Sequence, residues 1–225
     1  MPAKSLQELF VEELRDMYDG EKRLTKALPR MAKAAESEEL SAAFTNHLRE
    51  TERQVQRLEQ VFRTIGEPVR AKKCDGIMGI VEEGKHAMEE LEEGSVLDAA
   101  LIAGAQKAEH YEIASYGTLA YFAELLGNEK AKDLLGQTLD EEKAADEKLS
   151  TIAKSKVNRD ALMGAGSDEE MEGEEEEESM ARSSRGGARR MTSMRHGSRG
   201  HGARATASDR SRGGVRGNAG GRRRR

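Results

Sequence analysis

From Ser5 to Lys154 apolar residues recur at spacings of three and four, and the pattern breaks only briefly, at Ser37, at Gly66 with Pro68, at Gly94 with Ser95, and at Gly127 with Asn128. That period belongs to helices carrying one apolar stripe, and no segment shows the sustained alternation of β-branched residues that a half-buried strand needs. Ala, Leu, Glu, Lys and Gln dominate, and the chain has only three prolines, so local propensity agrees with the pattern. The predicted fold class is all-α.

The breaks divide the body into long helices. The first opens at Ser5 with Glu8 three residues on, a capping box in which each side chain satisfies a free N–H at the helix start. It is expected to run to about Ala35 and to bend or stop near Pro29, which removes one helical hydrogen bond. Ser37, followed by Glu38 and Glu39, opens the second helix, and Gly66 with Pro68 closes it. A shorter helix is expected from Cys74 to Leu91. Ser95 with Asp98 is expected to cap a long helix reaching Leu126, and a last one runs from about Glu129 to Lys154. Each long pair is joined by a very short turn and must fold back as an antiparallel hairpin, while residues 66–94 cross between the hairpins. Two hairpins with one long connection is the connectivity of ferritin-like bundles.

Charge separates this body from the C-terminal part of the chain. Residues 1–160 carry 32 acids and 23 bases, residues 161–180 nine acids and no base, and residues 181–225 fourteen arginines and one Asp. All eight Phe and Tyr lie between Phe10 and Phe122, so only the first part can bury a core. The division expected is a helical domain over residues 1–158 and a disordered tail over 159–225, acidic and then rich in Arg and Gly. Runs such as Arg185-Gly186-Gly187 and Arg212-Gly213-Gly214 suit sequence-tolerant, salt-sensitive contact with nucleic-acid phosphates through residues 182–225; the other reading is a solubilising tail whose acidic and basic blocks pair. No apolar run is long enough to span a bilayer and the first ten residues lack a secretory pattern, so a cytoplasmic protein with no membrane contact is expected. The single cysteine, Cys74, cannot form an internal disulfide or a Cys-based metal site and reads as a small residue at a helix start.

The chemical signal is acid where a bundle helix should be apolar. In the first helix the stripe reads Phe10, Leu14, Met17, Glu21, Leu24, Leu28 and Met31. In the last it reads Leu135, Leu139, Glu142, Asp146 and Leu149. The long helix between them brings Leu101, Ala105, Ala108, Glu112, Ser115, Leu119 and Phe122, with Glu109 one turn before Glu112. The second brings Phe44, Leu48, Thr51, Val55, Leu58 and Phe62, with His47 and Glu50 at the edge of the stripe. Glu21, Glu50, Glu112 and Glu142 fall at similar depth along their helices and are expected to meet near mid-bundle. Burying like charges together is costly unless something positive lies among them. A dinuclear metal centre is one answer, and carboxylates with an imidazole suit iron or manganese; pairing with Lys or Arg is the other. Glu21, Glu50, Glu112 and Glu142 are the expected principal ligands, with Glu109, Asp146 and His47 completing or tuning the set. His110 is a weaker candidate, and Tyr18, Tyr111 and Tyr116 read as packing residues.

The strings YDGEKRLTKALPRMAKAA, HLRETERQVQRLEQVF, KKCDGIMGIVEEG, DAALIAGAQKAEHYEIASYGTLA and TLDEEKAADEKL resemble the YciE/YciF-like family, the ferritin-like group DUF892, over residues 1 to about 157. The resemblance implies a ferritin-like four-helix bundle with an additional crossover helix, commonly a homodimer, linked to bacterial stress responses and without a settled activity. Ferritin-like dinuclear proteins supply a Glu from each of two helices and Glu-x-x-His from the other two. Here Arg53 stands three residues after Glu50 and Ala145 three after Glu142, and the available partners are His47 and Asp146. Two functions are therefore expected as alternatives: a stress-associated protein with a dinuclear iron or manganese site that reacts with oxygen or peroxide, or a non-catalytic interaction module whose tail binds nucleic acid.

Overall fold

A computed structural model describes residues 3–164. Five helices follow in order: α1 Leu6–Ala34, α2 Glu38–Thr64, α3 Asp75–Glu90, α4 Ser95–Leu125 and α5 Glu129–Ile152. A π-helical turn at Ala153–Val157 carries α5 onward, and residues 158–164 remain helical. There is no strand among the described residues. The tail expected from residue 159 lies, from 165 onward, outside them.

α1 packs along α2, α2 along α5, α5 along α4, and α4 returns to α1, which closes a four-helix ring. α3 lies outside the ring, against α1 and α4. This is the ferritin-like bundle with a crossover helix. No helix among the described residues is long and apolar enough to cross a membrane.

The breaks follow local chemistry. Gly66 at φ 74° and Gly127 at φ 70° end α2 and α4 in the left-handed region. In both, the next residue's N–H reaches back, Glu67 N to Phe62 O at 3.0 Å and Asn128 N to Ala123 O at 2.9 Å, which pairs a carbonyl the helix end would leave free. Asn128 then caps α5 by accepting from Ala131 N at 3.1 Å. Ser5 accepts from Glu8 N at 3.2 Å, but the Glu8 carboxylate takes the Lys4 N–H at 2.6 Å rather than that of Ser5. Pro29 does not interrupt α1; it sits on the exposed face, where water can serve the carbonyl that loses its partner.

Asp98 also departs from expectation. Gly94 is the cap residue of α4, and the Asp98 carboxylate instead accepts from Glu36 N at 3.0 Å and Ser37 N at 2.8 Å. The start of one hairpin is thereby tied to the turn of the other. Cys74 is buried at the head of α3, with its N–H donated to Asp19 Oδ2 at 2.9 Å. A side chain at Gly76 would collide with the Tyr111 ring, so only glycine lets α3 lie this close to α4.

The core is divided. One apolar cluster gathers Phe10, Leu14, Met17, Leu58, Phe62 and Leu119 with their neighbours. A second gathers Leu28, Leu40, Phe44, Leu101, Ile102 and Leu149. Between them lies a layer of buried polar residues drawn from all four bundle helices: Glu21 from α1, His47, Thr51 and Gln54 from α2, Glu109 and Glu112 from α4, and Thr138 and Glu142 from α5.

Candidate metal centre

Each acid in this layer is carried inward by its helix's apolar stripe. Glu21 sits between Met17 and Leu24, Glu109 and Glu112 between Ala105 and Tyr116, and Glu142 between Thr138 and Leu149, all of them buried. One ligand atom from each of His47, Glu109, Glu112 and Glu142 lies within 4.8 Å of the other three. His47 Nε2 is 3.2 Å from Glu109 Oε1 and 3.8 Å from Glu142 Oε2. Glu21 adjoins the group through the Tyr116 hydroxyl, which donates to Glu21 Oε1.

Four carboxylates and one imidazole do not balance in charge. Burial raises the carboxyl of Glu21 to about 7, against the lowering effect of the Tyr116 hydrogen bond. Burial also pushes Glu112 well above its ordinary value, reinforced by Glu142, Glu21 and Glu109. Glu142 is raised in the same sense by burial and by Glu109. Burial alone would lower His47, but Glu109, with Glu50 and Glu142 adding to it, outweighs burial and holds the imidazolium well above its ordinary range. In the metal-free layer burial therefore favours the protonated acids, and Glu21 Oε2, Glu109 Oε2 and both oxygens of Glu112 and of Glu142 have no hydrogen-bond partner. Buried polar atoms of this kind are expensive and uncommon. A cation set among them would supply what the protein does not. Oxygen donors with one imidazole form a donor set that divalent first-row ions accept, so the residues fit a metal.

The remaining sequence candidates lie outside this group. The Glu50 side chain is 37% exposed and reaches the far face of the imidazole, with Oε2 at 3.4 Å from His47 Nδ1; that contact holds Glu50 below its ordinary value. Asp146, 24% exposed, accepts from Gln106 Nε2 at 3.0 Å and stands 3.5 Å from the exposed His110. His47, expected at the edge of its stripe, is therefore central, and Glu50 peripheral. An apolar reading of α2 follows Leu48 and Val55, which are only half-buried; the buried face runs through Ala43, His47, Thr51, Gln54 and Leu58.

Two features of the site go beyond the sequence reading. Tyr116, read as packing, directs its hydroxyl at Glu21; its place one turn beyond Glu112 on the same face of α4 is the signal available in the sequence. Two further tyrosines read as packing likewise bond acids, Tyr18 to Glu59 at 3.0 Å and Tyr111 to Asp16 at 3.0 Å. Arg57 is buried in the same layer, and its guanidinium donates to both oxygens of Glu141 at 2.8 Å and to Thr138 Oγ1 at 2.7 Å. Its charge is committed to Glu141 rather than to the unpartnered carboxylates. A polar cleft of about 510 Å³ between α2 and α5, lined by His47, Glu50, Arg53, Glu109 and Lys148, opens on the group.

Residues 5–162 match the family described as a domain of unknown function, DUF892. The chain belongs to that family. Protein YciF of Escherichia coli strain K12 is 48% identical over 162 residues, covering 72% of this chain and 98% of that protein. The crystal structure of the E. coli stress protein YciF superposes with a TM-score of 0.67 over 69% of this chain and 99% of its own. YcfI of Rhodopseudomonas palustris, 44% identical, gives 0.64 over 67% and 96%. A Xanthomonas campestris protein at 20% identity and a TM-score of 0.55 shares the fold.

Proposed function

We propose that this chain holds a dinuclear iron or manganese centre in its polar layer and serves in a bacterial stress response through reaction with oxygen or peroxide. The observation that carries the reading is the set of buried carboxylate oxygens on Glu21, Glu109, Glu112 and Glu142 that no protein group satisfies. The likeness to a protein described as a stress protein supports the physiological setting.

Glu21, Glu109, Glu112 and Glu142 would hold the metals, with His47 through Nε2. When bound, iron or manganese supplies one-electron redox chemistry toward oxygen or peroxide. Without metal the His47 imidazolium is paired with Glu109 and Glu50; a bound metal would displace the Nε2 proton, and Glu50 at Nδ1 would keep the ring oriented, as carboxylates commonly do for metal-ligating histidines. Tyr116 fixes Glu21 by hydrogen bonding one oxygen and leaving the other free. The two apolar clusters close the layer along the bundle axis, so ions and polar reactants enter from the side, by the cleft between α2 and α5.

The test is the metal content of protein purified without chelators, with the double variant Glu21→Ala, Glu142→Ala beside it. About two iron or manganese ions per chain are expected in the parent and a loss of most of them in the variant. Equal metal content in the two proteins would defeat the reading.

A further inference from the structure

A second opening reaches the same layer from the opposite side, and its chemistry differs. It lies beneath α3, between α1 and α4, with a volume of about 130 Å³. Its walls are Leu28 and Met31 of α1, Ile80 and Met88 of α3, and Ala105 and Ala108 of α4. Its floor is His47, Glu109 and Glu112. The charged residues Arg30, Glu82 and Lys85 stand at its mouth, and Lys85 is engaged with Glu82 at 3.0 Å.

Small residues keep this space open. Gly84 on α3 and Gly104 on α4 line it, and a Cβ added at either would meet nothing within 4 Å. Ala105 and Ala108 continue the face begun by Gly104. A cavity of roughly 150 Å³ is large enough to take up benzene, and ligand pockets are commonly apolar walls around a few convergent polar groups. Here the convergent groups are buried and unpartnered: Glu109 Oε2 and both oxygens of Glu112.

We infer that this pocket binds a small apolar organic molecule about the size of a benzene ring, seated under α3 with one end against Glu109 and Glu112. It deepens the metal-centre reading by naming the kind of molecule brought to that centre. Its contacts are with the apolar walls, so binding does not require the metal. The polar cleft between α2 and α5 and this pocket are then two doors of different character, one for ions and polar reactants and one for an apolar partner.

Ligand-observed saturation-transfer NMR with toluene tests this on the full chain, with and without loaded metal. Saturable binding is expected in both states. Gly104→Leu and Ala108→Phe fill the space and are expected to weaken toluene binding at least tenfold while leaving metal content unchanged. Should Ala108→Phe fail to fold, Gly104→Leu carries the test, since its added side chain starts in open space. No saturable binding to the parent chain, or undiminished binding in a folded filling variant, overturns the inference. A chain that binds toluene but retains no metal would sustain the pocket and overturn the metal centre instead.

Discussion

Replacing Glu21 by glutamine removes a buried charge while keeping an oxygen that can accept from Tyr116. The carboxyl of Glu21 stands at about 7 in the folded chain against 4.5 for an exposed glutamate. A carboxyl whose folded value is raised binds its proton more tightly in the native state than in the unfolded one. Its effect is nil below about pH 4.5, grows into a penalty as pH rises to about 7, and is constant above that. The interval corresponds to about 3 kcal/mol at pH 8. Metal-free Glu21→Gln is therefore expected to be more stable than the metal-free parent by about 3 kcal/mol at pH 8, and equal to it at pH 4.5. For a chain of this size that is a rise of roughly 6–12 °C in Tm. Added iron or manganese is expected to reverse the order, because the parent gains binding free energy that the variant, short of one ligand, cannot match. Thermal unfolding followed by circular dichroism, at both pH values and with chelator or metal present, reads all four comparisons. A metal-free difference of the same size at pH 4.5 and pH 8 would refute the argument, because it would show that the substitution acts through packing and not through charge.

Tyr116→Phe removes the donor to Glu21 and is expected to weaken metal binding by about tenfold to a hundredfold, the usual effect of losing a group that orients a ligand; metal titration by calorimetry checks it. Glu50→Gln, which leaves the shape around His47 nearly unchanged, is expected to produce a smaller loss in the same titration than His47→Ala, and the opposite ranking would restore Glu50 to the ligand set. Arg57→Ala leaves the partly buried Glu141 carboxylate without its counter-charge, with Gln54 Nε2 still donating to it, and is expected to cost about 3 kcal/mol in urea denaturation with no metal present. Deleting residues 182–225 is expected to abolish salt-sensitive retention on nucleic-acid resin; if retention survives, the arginine-rich segment is not the cause.

The fold can be read from the sequence because its signals are local and agree. Periodicity marks α1, α2, α4 and α5, and glycines at 66 and 127 take the left-handed backbone that ends helices. The inward acids are legible for a related reason: Glu21, Glu112 and Glu142 interrupt stripes that are otherwise apolar. Rotation about a helix axis by less than one residue is not legible in this way. α2 carries apolar side chains on two adjoining faces, and a stripe drawn through Leu48 and Val55 turns it so that Glu50, rather than His47, faces inward. The partner of Asp98 is equally hidden, since it lies on the turn between α1 and α2, far away in sequence. For Tyr116 the sequence offers its place one turn beyond Glu112, but not that its hydroxyl meets Glu21 across the bundle.

Asp98 also has a bearing on distances it does not touch. By accepting from Glu36 N and Ser37 N, it bolts the head of α4 to the loop joining α1 and α2, about 16 Å along the axis from Glu109 at a rise of about 1.5 Å per residue. Axial sliding of one hairpin past the other is blocked at that end, and a slip of one turn would be about 5.4 Å, enough to pull Glu21 and His47 off the level of Glu109 and Glu142. A carboxylate at the rim of the bundle thus shares the task of keeping the acidic layer level with the bonds that cross between the hairpins deeper in, Tyr116 to Glu21, Tyr111 to Asp16 and Arg57 to Glu141.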